Sequence, residues 1–312
     1  LGDSDHGSLF GFLKARFRSG KWAKYDPDRY AVPVATPKFA TQSEEPVATW
    51  IGHSTVLLQH KGLNVLTDPV FSDYASPFSF AGPKRITSPA VAIADLPPID
   101  VVVISHNHYD HLDTASIKAL GNAPHYYVPL GVKAWMIKKG INPSQVEELD
   151  WWETRQLTVK GVDIEITATP TQHFSGRGLF DRDKTLWASW ALSWAGFTAW
   201  FGGDTGYNNS QFAEIGRRLP NIDLGIIPVG AYAPQWFMGR IHVNPEEAVR
   251  IHQDIGARRS MGIHWGTFIL TAEEIDEPPK RLAAALTQAN LPAESFSVFA
   301  VGESRTYSLS SP

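Results

Sequence analysis

A layered α/β domain is what this sequence predicts, on three observations. Runs with strand character alternate with runs of helical spacing over about 250 residues, without an internal repeat. Hydrophobic residues make up 43% of the 312 and charged residues 19%, enough apolar material for a sizeable core and far from the composition of a disordered chain. Polar or ionisable residues, often beside glycine, recur just beyond the apolar runs, where loops on a rigid scaffold carry function.

In chain order, residues 1–45 mix Lys, Arg, Pro and Asp with scattered aromatics (Phe10, Phe12, Phe17, Trp22, Tyr25, Tyr30). They read as an irregular N-terminal arm with one short helix, flanking a domain that occupies 46–312. Strands are expected at Ala48–Ile51, Ser54–His60, Leu63–Thr67, Val101–Ser105, Tyr126–Pro129, Leu157–Val159, Ile164–Ala168, Leu224–Pro228 and Met261–His264. Helices are expected at Thr114–Leu120, Val132–Lys139, Gln211–Leu219, Pro245–Ile255 and Lys280–Ala289. The clearest helix start is Asn244-Pro245-Glu246-Glu247, a cap, a first-turn proline and two carboxylates at the positive end of the dipole. The most apolar window, Leu186–Phe201, is too short for the roughly 20 apolar residues of a membrane span. Its Ala195-Gly196 break makes it two adjacent strands, so the expectation is a soluble or peripherally membrane-associated protein. No secretory pattern opens the chain, and because it begins with Leu1 rather than Met the compartment stays open.

Composition narrows the chemistry. The net charge of −4 argues against nucleic acid as a partner, which calls for a basic face. With no cysteine, disulfides, thiolate nucleophiles and Cys-type zinc sites are excluded together, so any metal must sit on His, Asp and Glu. The 11 Trp and 16 Phe suit a core, a ligand pocket or a membrane interface equally.

Directly after the apolar run Val101–Ile104 comes Ser105-His106-Asn107-His108-Tyr109-Asp110-His111-Leu112-Asp113. Three His and one Asp within six residues put imidazoles and a carboxylate on one loop, an arrangement that serves a metal and has few folding reasons. Further ligands must come from elsewhere, and His173, Asp204 and His264 each stand in a loop after an apolar strand. Taken singly, Asp204 reads equally as a turn residue, and His173 or His264 as a buried structural one; beside the HxHxDH cluster those readings recede. Asp68 and His53 suit hydrogen bonds to ligand imidazoles, or a plain turn or core role.

HxHxDH followed by separated His, Asp and His resembles the metallo-β-lactamase superfamily, which implies an αβ/βα sandwich with metals at one edge of its two central sheets. Gly52-His53-Ser54-Thr55, Leu66-Thr67-Asp68-Pro69, Gly82-Pro83-Lys84-Arg85, Leu149-Asp150-Trp151-Trp152, Gly203-Asp204-Thr205-Gly206-Tyr207, His242-Val243-Asn244-Pro245-Glu246-Glu247 and Ile263-His264-Trp265-Gly266 resemble the N-acylphosphatidylethanolamine-hydrolysing phospholipase D family. The similarity runs from about residue 47 to Arg305. The resemblance implies two zinc ions per chain: His106, His108 and His173 on one, Asp110, His111 and His264 on the other, with Asp204 bridging. Asp110, Asp204 and His242 would then be the catalytic set, His242 assisting a phosphate oxygen or the leaving group, unless it only packs at the helix start.

It also implies a phospholipid substrate, cleaved to phosphatidic acid and N-acylethanolamine, and contact with a membrane surface; a second copy of the chain is a partner the sequence leaves open. Substrate contacts are expected from Lys84, Arg85, Tyr109, Trp236, Phe237 and Met238. Lys84-Arg85 would hold a lipid phosphate, or be a solvated basic pair; Trp236-Phe237-Met238, in an expected loop, would line an acyl groove or join the core. Ser79-Phe80 stands where the family pattern has a Gln-Tyr pair, leaving the headgroup contacts open. The residues alone support metal-assisted hydrolysis of an ester. A lactonase or other ester hydrolase, and a lipid-binding protein on an inactive scaffold, are the alternatives.

Overall fold

The computed structural model describes residues 26, 30–40 and 42–309. Most of the expected N-terminal arm, including Phe10, Phe12, Phe17, Trp22 and Tyr25, therefore lies outside the described residues. The described part of that segment lies along the C-terminal end of the chain: Val34 bridges Val301, and the Ala40 amide donates to Gln59 Oε1 at 2.9 Å.

The first sheet contains β1 (Val47–Gly52), β2 (Thr55–His60), β3 (Leu63–Thr67), β4 (Val101–Val103), β5 (His125–Pro129) and β6 (Val146–Leu149). The second holds β7 (Thr154–Val159), β8 (Val162–Thr169), β9 (Ser189–Trp194), β10 (Phe197–Phe201), β11 (Leu224–Pro228), β12 (Arg259–Ile263) and β13 (Phe296–Val298). A last strand, β14 (Ser304–Thr306), returns to pair with β1 and closes the first sheet in the order β14-β1-β2-β3-β4-β5-β6; the second runs β13-β12-β11-β10-β9-β8-β7. Both sheets are mixed: hairpin-connected neighbours pair antiparallel, and parallel neighbours are joined by helices except β3 and β4, which the long segment 68–100 connects.

Six α-helices occur among the described residues: α1 (Thr114–Leu120), α2 (Val132–Lys138), α3 (Asn209–Arg218), α4 (Gln235–Met238), α5 (Pro245–Asp254) and α6 (Glu277–Gln288). Strand β4 shows why the layers stack as they do. Val101 and Val103 face the core between the sheets, whereas Val102 and Ile104 join Ile117 of α1 and Met136 of α2 on the other face. On the far side Phe212 of α3, Ile251 of α5 and Leu282 of α6 cover the second sheet. The result is the αβ/βα sandwich.

The apolar window 186–201 is a hairpin. Phe197 pairs with Trp194 across Ala195 and Gly196, both at positive φ (49° and 81°), as a tight two-residue turn between right-twisted strands demands. Two of the 11 tryptophans make polar ties between layers: Trp190 Nε1 donates to the Ile104 carbonyl at 2.9 Å and Trp194 Nε1 to that of His60 at 3.2 Å. Both bonds link the second sheet to the first. No helix of the described residues is long and apolar enough to cross a membrane.

Three short strands, β6, β13 and β14, have no counterpart in the sequence reading, and α6 begins at Glu277 instead of Lys280, since Pro278 and Pro279 fit a first turn that needs no amide donors. The expected loop at Trp236-Phe237-Met238 is corrected to the single turn α4.

Candidate metal centre

Within each sheet β1 and β3, β4, β8, β10 and β12 run the same way, so their C-terminal ends share one edge. His53 follows β1, Asp68 follows β3, the 105–113 loop follows β4, His173 follows β8, Asp204 follows β10 and His264 follows β12. Asp204 can sit there because Gly203 adopts φ +59° and a Cβ on it would lie 2.5 Å from Ser105 Cβ; only glycine lets the two sheets approach so closely. The ligand loop ends in Asp113, which caps α1 by accepting from the Ala115 and Ser116 amides and also receives the Ser72 hydroxyl.

The structure brings all seven predicted ligand residues together. His106 Nε2 lies 2.8 Å from His108 Nδ1, and His173 Nε2 lies 3.3 Å from the same atom. The outer nitrogens decide the tautomers. His173 Nδ1–H donates to the Ile241 carbonyl at 2.8 Å. Ser105 Oγ donates to Asp68 and thus accepts from His106 Nδ1–H at 2.9 Å. The inward nitrogens of His106 and His173 therefore present lone pairs toward His108 Nδ1, a convergence that a cation between the three rings would suit.

On the other side, Asp110 Oδ2 lies 3.6 Å from His111 Nε2 and 3.4 Å from His264 Nε2. Asp204 stands between the halves: its carboxylate is 3.1 Å from both His111 and His264, and 3.9 and 3.8 Å from His106 and His173. The atoms of His106, His108 and His173 form one compact group, and those of His53, Asp110, His111 and His264 another. Buried His111 Nε2, His264 Nε2 and Asp204 Oδ1 have no hydrogen-bond partner, as ligand atoms directed at an ion would not.

Electrostatics separates the halves. Burial, reinforced by neighbouring imidazoles, holds His106 and His173 well below the ordinary histidine range, and burial takes His108 down to about 4 despite Asp110 and Asp204. Burial opposes charge on His264 too, but Asp204 and Asp110 outweigh it and raise its pKa to about 9; the same carboxylates hold His111 well above its ordinary value. Asp110 and Asp204 are correspondingly depressed, their burial outweighed by His111 and other histidines.

Asp68 and His53 take the outer positions. Asp68 accepts His111 Nδ1–H at 2.6 Å and the Ser105 amide at 2.7 Å, and burial lifts its carboxyl above the ordinary range against those bonds. His53 Nε2–H donates to Asp110 Oδ2 at 3.1 Å, and its carbonyl accepts the His264 amide. His242, just before the α5 capping box, is buried, with Nδ1 unpartnered 3.9 Å from Asp204; burial lowers its pKa to about 4.

The expected substrate contacts fall in different places. Phe237 and Met238 are buried with Ile241 against Phe174, whose ring is 4.4 Å from that of His108, while Trp236 is 55% exposed. Lys84 is exposed. Arg85 is buried, donating to the Ser72 and Val70 carbonyls under the Phe268 ring. The Tyr109 hydroxyl donates to the Arg177 carbonyl at 2.9 Å. Sequence reasoning passed over Arg177 and the Ile241 carbonyl: an arginine between glycines and a backbone oxygen form no motif.

The sequence profile of the β-lactamase superfamily domain matches residues 63–265. The chain is 43% identical over 264 residues, 82% of its own length and 74% of the other's, to N-acyl-phosphatidylethanolamine-hydrolyzing phospholipase D 1 of Caenorhabditis elegans. It is 38% identical over 259 residues to the mitochondrial N-acyl-phosphatidylethanolamine-hydrolyzing phospholipase D of Saccharomyces cerevisiae, covering 82% of this chain and 55% of that protein. Among solved structures, the metallo hydrolase Igni18 of Ignicoccus hospitalis superposes with a TM-score of 0.62 over 85% of this chain and 99% of its own, at 20% identity, a likeness of fold.

Proposed function

The chain belongs to the N-acylphosphatidylethanolamine-hydrolysing phospholipase D family of the β-lactamase superfamily, and from that premise we propose that it is a binuclear zinc phosphodiesterase releasing phosphatidic acid and an N-acylethanolamine. The observation that carries the chemistry is the convergence of six imidazole or carboxylate ligands around the shared carboxylate of Asp204, with the His106 and His173 tautomers already set for ligation. His106, His108 and His173 would hold one ion, Asp110, His111 and His264 the other, and Asp204 would serve both. Bound there, zinc supplies Lewis acidity toward a phosphoryl oxygen and an acidified water. Water adds to phosphorus as the bond to the ethanolamine oxygen breaks, and that oxygen leaves with a proton.

The chain's own residues orient this exchange. His242, neutral at physiological pH, presents an imidazole beside Asp204 where a hydrogen bond to a phosphate oxygen or to the departing alcohol is within reach. Phe174, Phe237 and Met238 form an apolar wall next to His108 and His173, suited to a lipid. Among the described residues the large apolar side chains of Phe78, Phe80, Leu179, Phe180 and Trp236 are more than half exposed, as is Val34 beside the C-terminal end of the chain. Phe78 and Phe80 belong to the segment held to the ligand loop through Asp113, and Leu179 and Phe180 to the segment held through Asn107 and Tyr109. A lipid surface is the partner we assign to these aromatic and leucine side chains.

The test is elemental analysis of the purified chain combined with product analysis on a defined N-acylphosphatidylethanolamine. Two zinc ions per chain and release of phosphatidic acid are expected; efficient cleavage of a lactone with no action on the phosphodiester would overturn the reading. For the lipid surface, Leu179→Ser with Phe180→Ser should slow turnover on vesicles and spare a small soluble phosphodiester, and equal loss on both would remove that assignment.

A further inference from the structure

We propose that Arg177 is a positioning residue of the metal centre, locking the loop that carries His173 against the loop that carries His106 and His108. The inference rests on the metal reading above. Those loops come from different sheets, so nothing in either strand ladder fixes the distance between them. Arg177 does so four residues beyond His173. Its Nη1 donates to the Asn107 carbonyl at 2.7 Å and the Leu112 carbonyl at 2.8 Å, with that of His108 at 3.4 Å. The guanidinium meets these converging carbonyls with a charged donor and is also flat enough to stack, 4.0 Å from the Tyr109 ring centroid and 4.9 Å from that of Trp135.

The contact is reciprocal. Tyr109 donates its hydroxyl back to the Arg177 carbonyl, and Asn107 Oδ1 accepts the Gly176 amide at 2.7 Å. Arg177 is itself held in place: Asp181 accepts the Arg177 and Gly178 amides, Ser175 Oγ donates to the Thr185 carbonyl, and the Asp183 amide donates to that of Ser175. The second half of the centre has different supports, since Asp68 holds His111 and the His53 carbonyl holds the His264 backbone. Loss of Arg177 should therefore loosen the ion on His106, His108 and His173 more than the other, whose ligands Asp110 and His111 share the gripped loop but keep these separate supports.

The experiment loads the full-length chain with zinc and reads the affinity of each ion by competition with chromogenic chelators. Arg177→Ala should weaken one ion by about 10–100-fold, the usual cost of losing support behind a ligand, and the other by much less. Arg177→Lys, which keeps the charge without the planar fork, should recover only part of the loss. Unchanged affinities would overturn the proposal. So would equal loosening of both ions in step with a lowered Tm of the zinc-free protein, which would make Arg177 a general support of the fold. If Arg177→Ala does not fold, Tyr109→Phe and Arg177→Lys carry the same readout: selective loosening supports the proposal and unaltered binding refutes it. A wild-type chain that holds no zinc pair would instead mark failure of the metal reading.

Discussion

The two halves of the centre are built on different electrostatic plans. His106, His108 and His173 form an all-imidazole half, kept neutral by burial and supported from behind by a serine hydroxyl and a backbone carbonyl. His111 and His264 sit among the carboxylates of Asp110, Asp204 and Asp68, which make the protonated rings favourable. Without metal the second half can satisfy itself with protons shared with carboxylates, whereas in the first the rings have one another as partners, His106 Nε2 facing His108 Nδ1 at 2.8 Å. The contrast shows that a site can be preorganised in two ways: by internal ion pairs, or by buried neutral imidazoles oriented from behind by neighbouring donors and acceptors.

Asp204→Asn tests what the halves share. A neutral amide cannot offset two dications, so both ions should be lost or weakened, with turnover down on the order of 10³-fold, several kcal/mol at about 1.4 kcal/mol per tenfold. Normal metal content and turnover in this variant, measured by elemental analysis beside the assay, would break the idea of a common carboxylate.

His242→Ala should leave both halves filled and lower turnover about 10²-fold, the scale of a lost proton donor or orienting group. If zinc is lost as well, His242 belongs to the imidazole half as a ligand beside His173 and Asp204.

Asp68→Asn sharpens the contrast. His111 loses its anionic partner, so zinc should weaken by about 10–100-fold in the carboxylate half and by less in the imidazole half, which Asp68 reaches only through Ser105 and His106. Loosening confined to the other ion would show that the ligand sets have been exchanged.

The gentlest probe is pH. The raised pKa of His264, about 9, means that in the zinc-free protein its pairing is fully present below the ordinary value of 6.5 and is lost as pH rises through about 9. Metal runs the other way: binding displaces that proton and the one that the carboxylates hold on His111, so affinity in the carboxylate half should rise by more than about tenfold per pH unit as pH climbs toward about 9. The imidazole half, already neutral at pH 7, should be nearly flat. Proton release into a weakly buffered indicator solution on zinc addition measures this, and identical pH slopes for the two ions would erase the distinction.

Legibility in the sequence followed the range of the interactions. The β4 run, the 195–196 turn and the Asn244 capping box are local devices, and the structure has them where the residues placed them. Strands β6, β13 and β14, of three or four residues, are too short to show a period, and they exist because β5, β12 and β1 offer unpaired edges. The triplet at 236–238 divided because one helical turn sends adjacent side chains to different sides, burying Phe237 and Met238 and exposing Trp236.

By itself the sequence determined the kinds of atoms available for chemistry. Without cysteine, and with three histidines and an aspartate crowded after one apolar strand, it specified a centre of imidazole and carboxylate ligands on a layered α/β scaffold. Only the tertiary structure decided which distant residues join that cluster, which nitrogen of each ring faces inward, and that Arg85 is spent on backbone carbonyls while Arg177 spans the two ligand loops. The physical reason is that residue type and local spacing set donors, charges and turns, whereas convergence depends on how two sheets pair their strands and stack, an outcome of cooperative packing that no short segment carries.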